Sequence, residues 1–198
     1  IANRNLKLQN ILIVVSSYVF YGWWDWRFLG LIFLSTVTDY LVGLGLSKTE
    51  EQRNRKILLW TSIAVNIGLL GFFKYYNFFL DNFIAAFSFF GSEIKANSLQ
   101  IILPVGISFY TFQTLSYTIY VYKRKLDPTI DFISFMAFVS FFPQLVAGPI
   151  ERASNLLPQF FRKRTFEYTK AADGFQQILW GLFKKMVISY YCSRFYNL

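Results

Sequence analysis

The chain has 198 residues, 55% of them hydrophobic and 21% aromatic against 16% charged, too little solubilising charge for an ordinary water-soluble domain. Its formal charge of +9 sits in short basic clusters between apolar stretches, the distribution of membrane-topology signals and not of a nucleic-acid-binding face, so no nucleic acid is expected. With no histidine and one cysteine, Cys192, the chain excludes an internal disulfide, a thiolate metal cluster and an imidazole base, and no metal site is expected.

Leu6 to Trp24 is a first apolar window of spanning length, ending in the interfacial aromatic cluster Trp23, Trp24 and Trp26. Phe28 to Leu46 is a second, and the link after it carries Lys48, Arg53, Arg55 and Lys56, a cytoplasmic signal. Ile57 to Phe73 is a third window that delivers Lys74, Tyr75 and Tyr76 to the opposite interface. The apolar piece after it, which contains Asp81, has the length of an interfacial or re-entrant helix. Ile101 to Tyr122 is a fourth window, closed by the basic run Lys123 to Lys125.

Phe132 to Val146 is again apolar, yet the link beyond it, with Arg152 and Arg162 to Arg164, is as basic as the one before. A segment that enters and returns resolves this, and Pro143, Gly148 and Pro149 supply the backbone breaks. Such a turn survives at membrane depth only where protein or a water-filled cavity satisfies its backbone, which makes it a candidate site. In the last stretch Lys184 and Lys185 belong at an interface, so Gly174 to Phe183 reads as a surface-lying or partly inserted helix. The expected fold is all-α: a polytopic integral membrane helix bundle, one domain over 1–198, with a re-entrant segment near 132–150.

Asp39 lies inside the second window, either on a polar pathway or hydrogen-bonded to neighbours such as Thr38 or Asn66. Between Leu103 and Tyr122 the polar side chains of Ser108, Gln113, Tyr117 and their neighbours are too numerous for a helix facing lipid alone. They look into the bundle, at neighbouring helices or at a substrate tunnel. Gln144, Glu151 and Arg152 flank the broken turn and complete, with Ser108, Gln113, Tyr117, Pro143, Gly148 and Pro149, the substrate-path candidates. Serine-hydrolase chemistry is excluded because nothing activates Ser108 or Ser116.

The strings YVFYGWWDWRFLGL (Tyr18 to Leu31), GFFKYYNFF (Gly71 to Phe79), LPVGISFYTFQTLSY (Leu103 to Tyr117), FFPQLVAGPIERASNLLPQF (Phe141 to Phe160) and ILWGLFKKMVI (Ile178 to Ile188) resemble the membrane-bound O-acyltransferase family. The likeness is to its bacterial alginate O-acetylation and D-alanine transfer branch. It implies an inner-membrane, multi-pass enzyme that passes an acyl group from a cytoplasmic donor, such as acetyl-CoA or an acyl carrier, through a tunnel to an exported polysaccharide. No bound cofactor is implied. Membrane lipid, an extracytoplasmic acyltransferase and polysaccharide export machinery are the implied partners.

The family's catalytic histidine is expected beyond Leu198 and its first span before Ile1, so the chain reads as a fragment with no catalytic residue of its own, inactive alone. The pattern departs at Tyr120 and at Ser189 to Tyr191, where relatives carry acidic residues. A non-enzymatic transporter or flippase bundle is the alternative reading, since broken helices and intramembrane polar groups occur there too.

Overall fold

A computed structural model describes residues 5–89, 106–145, 148 and 151–192. Every regular element among the described residues is helical, as expected, and the chain divides into two compact units, Ile1–Lys163 and Arg164–Leu198.

In the first unit, α1 (Leu6–Asp25) starts at Asn5, whose side chain accepts from the amide of Lys7 at 3.0 Å, an N-cap. It stops at Asp25, which is extended (φ −159°) and caps a short 3-10 turn over Trp26–Phe28. Helix α2 (Leu29–Lys48) follows, and Thr49 ends it in an extended conformation. Leu6–Lys48 and Gln52–Ile84 are each long and apolar enough to cross a membrane.

Helix α3 (Gln52–Leu70) does not end at the Lys74 interface anticipated from sequence. A π-helical turn over Gly71–Tyr75 carries it directly into α4 (Tyr76–Phe89). The region contains no proline, and the wider π turn takes up the aromatic crowding without breaking the helix.

Helix α5 (Ile107–Tyr122) is the centre of the unit. Asp39 of α2 meets Ser62 of α3, and Leu46 meets Arg55, so α2 and α3 run antiparallel. Thr114 and Thr118 of α5 meet Asn66 and Ser62 of α3, so α5 is also antiparallel to α3 and parallel to α2. The C-termini of α2 and α5 therefore share one end, where the links containing Lys48 and Lys123 also lie.

Arg55 joins these ends. Arg55 is 5% exposed, and its guanidinium donates to the carbonyls of Leu46, of Thr49 (3.2 Å), of Val121 (3.3 Å) and of Tyr122 (2.8 Å), while lying 5.7 Å from the Tyr122 ring centroid. Terminal carbonyls without intrahelical partners carry partial negative charge, and one planar cation satisfies two helices at once. Arg55→Ala should lower stability by about 2 kcal/mol, read as a lower melting temperature in detergent. Arg55→Lys should recover less than half of the loss, because a single ammonium cannot span both ends.

Between Lys123 and Lys163 the helices are short. Helix α6 (Phe132–Val139) is 8 residues, about 12 Å, far less than a hydrocarbon core of roughly 30 Å. Helices α7 (Phe142–Leu145) and α8 (Ala153–Leu156) are single turns, α8 running into a 3-10 turn over Leu157–Phe160. The breaks anticipated at Pro143 and Gly148 belong to this stretch, but the first comes earlier, at Ser140, which closes α6 with its hydroxyl on the Met136 carbonyl at 2.8 Å.

Helix α9 (Tyr168–Phe183) continues through a π-helical turn, Lys184–Ser189, to residue 192, and every described residue from Phe175 to 192 is exposed.

Candidate functional site

The first polar centre lies between α2, α3 and α5. Asp39 is fully buried, and its carboxylate accepts from the Ser62 hydroxyl, from Asn66 Nδ2 at 2.8 Å and from the Thr118 hydroxyl at 3.2 Å. Asn66 Oδ1 in turn accepts from Ser35 at 2.7 Å and from Thr114 at 3.2 Å. Thr114 and Thr118 are four apart on α5, as Ser62 and Asn66 are on α3, so each pair presents one face to the carboxylate. The expectation of an interhelical partner holds for Asn66. Ser62 and Thr118 are additional, and none of the carboxylate's hydrogen bonds comes from Thr38.

The second centre is the broken segment itself, whose backbone groups are met by side chains from α1 and α5. Gln113 Nε2 donates to the Phe138 carbonyl at 2.7 Å. The Tyr117 hydroxyl accepts from the Thr129 amide at 3.0 Å, and the Ser116 hydroxyl from the Ala153 amide at 3.3 Å. Residues 113, 116 and 117 share one face of α5, distinct from the face of Thr114 and Thr118. From α1, Ser17 accepts from the Phe142 amide at 3.3 Å, and Asn10, fully buried, donates to the Phe160 carbonyl and to Ser134, both at 2.9 Å. Unmet backbone groups away from water are costly, so these side chains allow non-helical chain inside the bundle.

Close approach fixes the same segment. Gly106, at the N-terminus of α5, has φ +79°, and a Cβ there would lie 2.3 Å from the Leu145 carbonyl oxygen. A Cβ on Gly43 would lie 2.6 Å from the Tyr117 hydroxyl. At Gly148 it would meet Gln144 Cα at 2.5 Å, so the chain returns on itself too tightly for a side chain.

The candidates read from sequence separate accordingly. Gln113 and Tyr117 hold the broken segment, and Ser108 sits one turn away, accepting from Lys74 Nζ at 3.2 Å. Gln144 is buried in α7, whose second residue, Pro143, is exposed. Glu151 and Arg152 are exposed, and Arg152 acts through its backbone, its carbonyl accepting from Asn155 at 2.9 Å to start α8. Pro149 lies outside the described residues. Tyr18 and Tyr110 were missed, as were Ser62, Thr118, Asn10 and Ser17: the hydroxyls of Tyr18 and Tyr110 are buried without a hydrogen-bond partner among the described residues. A tyrosine in so aromatic a chain gives no warning of that.

Among the described residues no group of three or more Cys, Asp or Glu side chains is placed to hold a metal ion. The arrangement supplies hydrogen-bond donors, acceptors and a shaped backbone.

The chain is 39% identical over 185 residues to a protein of Azotobacter vinelandii named "Probable alginate O-acetylase AlgI", a match covering 92% of this chain and 36% of that protein. The Pseudomonas aeruginosa protein of the same name is 38% identical, with 92% and 35% covered. Over 92% of its length the chain is thus homologous to proteins named for O-acetylation, in line with its resemblance to the membrane-bound O-acyltransferase family. A third O-acyltransferase, from Helicobacter pylori and named "Peptidoglycan O-acetyltransferase", is 34% identical over 212 residues, covering 94% of this chain and 39% of its own length. The chain thus spans about a third of the length of these curated relatives. No family model and no solved structure matches it. Homology to membrane acetyltransferases and the two long apolar helical stretches together make it a membrane protein.

Proposed function

We propose that the chain is part of an inner-membrane, multi-pass O-acyltransferase that moves an acetyl group from a cytoplasmic thioester, such as acetyl-CoA or an acyl carrier, toward an exported cell-envelope polysaccharide. The observation that carries this is the identity, over 92% of the chain, to proteins named for O-acetylation of alginate, with a peptidoglycan O-acetyltransferase matching over a similar span. Alginate and peptidoglycan differ in sugar and linkage. What they share is a hydroxyl that becomes an acetyl ester outside the cytoplasm. In the transfer the acyl carbon exchanges its bond to the donor sulfur for one to an acceptor oxygen, and the acceptor's hydroxyl proton ends on the departing thiol.

In this reading the chain supplies scaffold and path, and the proton chemistry comes from parts of the relatives' length outside the match. The shared end of α2 and α5, with its basic links, is the cytoplasmic end. The segment from Thr129 to Phe160, braced by Gln113, Ser116 and Tyr117, borders the acyl path beside Ser108, Pro143, Gln144, Gly148, Pro149, Glu151 and Arg152. An extracytoplasmic acyltransferase that completes the transfer, the polymer export machinery and the surrounding lipid are the proposed partners. No observation favours a transporter.

The turn at Gly148 tests the reading. In the intact protein Gly148→Leu places a branched side chain against Gln144 Cα, whereas Arg152→Ala alters only an exposed side chain. Gly148→Leu should abolish polymer O-acetylation with membrane abundance within roughly twofold of wild type, and Arg152→Ala should be milder. Normal acetylation by both variants would place the path elsewhere. Disappearance of the Gly148→Leu protein from the membrane would make the turn a folding element only.

A further inference from the structure

The second unit leaves a pattern that acyl transfer does not use. On α9 and its π-helical extension, Phe175, Leu179, Leu182 and Met186 recur at the spacing of one helix face, while Lys170, Asp173, Gln177 and Lys184 occupy the opposite one. The apolar face is uncovered: Phe175 is 70% exposed, Leu179 62% and Met186 68%. Between residues 162 and 185 six lysines and arginines stand against two acids. One of those acids, Glu167, is already paired with Lys170 at 2.9 Å. Lys184 and Lys185 stand near the end of the helix, Lys184 on the polar face and Lys185 at its border with the apolar one. Trp180 is stacked on Phe183 with ring centroids 5.5 Å apart, and Lys184 Nζ lies 5.4 Å from the Trp180 ring.

We propose that α9 is a docking element for the anionic phospholipid surface, lying in the plane of the leaflet with its Phe175–Met186 face among the acyl chains and its lysines on headgroup phosphates. Charge selects this occupant. A helix buried against protein would bring acidic partners for its lysines or shed them, whereas an apolar face flanked by excess cations matches a negatively charged leaflet. Trp180, at the border between the two faces, has the amphipathic ring that favours the headgroup level. Two lysines in the middle of the continuous helix from Tyr168 to residue 192 also disfavour a transverse placement, which would carry them toward the bilayer centre.

The test uses the protein in lipid nanodiscs with a Cys192→Ser background and single cysteines placed in turn from 175 to 186, each carrying a spin label. A further label at 173 extends the series onto the polar face. In discs containing phosphatidylglycerol, labels at 175, 179, 182 and 186 should be accessible to oxygen and shielded from a water-soluble nickel reagent, and labels at 173, 177 and 184 the reverse. In phosphatidylcholine discs, or with Lys184→Gln and Lys185→Gln, the docked fraction should fall, by about fivefold in the docked-to-free ratio for each lysine neutralised. Labels at 175 to 186 shielded from both reagents would mean that protein covers the face. Oxygen access on all faces would mean that the helix crosses the bilayer. A pattern indifferent to lipid charge would mean that the lysines do not recognise phosphate. Any of these three results overturns the proposal.

Discussion

Gly106→Ala should be among the most damaging single substitutions in the described part of the chain. The new Cβ would have to occupy a left-handed backbone position, at a cost of roughly 1–2 kcal/mol, and would stand 2.3 Å from the Leu145 carbonyl oxygen, a backbone atom that cannot swing aside. Together these should remove about 3 kcal/mol or more, a fall in melting temperature of roughly 6–12 °C for a protein of this size. Gly30→Ala is the control: it lies in α2, and its added methyl would meet nothing within 4 Å, so it should be neutral or slightly stabilising. Equal melting temperatures for the two variants would show that α5 does not abut Leu145.

Asp39→Ala should be nearly as harmful. It removes the acceptor for Ser62, Asn66 and Thr118 in a fully buried place where none of the three can turn to water. Interhelical hydrogen bonds in membranes contribute about 0.6 kcal/mol each on average, and stranded donors add to that, so a loss of about 2–3 kcal/mol is expected. Asp39→Asn should fall between wild type and Asp39→Ala: its carbonyl oxygen still serves Ser62 and Thr118, but its amide opposes Asn66 Nδ2, another donor. Thermal unfolding of the three proteins in detergent gives the order, and an Asp39→Ala protein as stable as wild type would mean that the carboxylate does not tie the helices together.

The long helices were legible because length and apolarity suffice to mark them; α1 and α2 begin and end within a few residues of where the windows do. Asp39 announced itself by its cost in a span, and Asn66 was foreseen as a partner. Ser62 and Thr118 were not, since a hydroxyl in an apolar helix leaves no trace in sequence of which carboxylate it meets. The polar density of α5 was visible while its targets were not: Gln113, Ser116 and Tyr117 answer to backbone groups 12 to 37 residues away. The need at Gly106 for a hydrogen in place of a side chain comes from Leu145, which only folding brings near. Arg55 was counted with its neighbours as a topology signal. Nothing local distinguishes the one cation in that cluster that turns inward to hold two helix ends. The continuity of α3 with α4 was missed because Lys74 among aromatics has the look of a membrane interface, and the π turn that carries the helix past it has no sequence signature.

Acetyl ester on the exported polymer is the quantity on which the central claim depends. It should be measured by releasing acetate from purified envelope polysaccharide of wild-type cells, of cells lacking the intact gene, and of deleted cells carrying it on a plasmid. An O-acetyltransferase predicts that polymer yield stays near wild type, that ester acetate is lost on deletion, and that the plasmid restores it. Polymer that remains fully acetylated without the gene, or that is no longer exported at all, would contradict it.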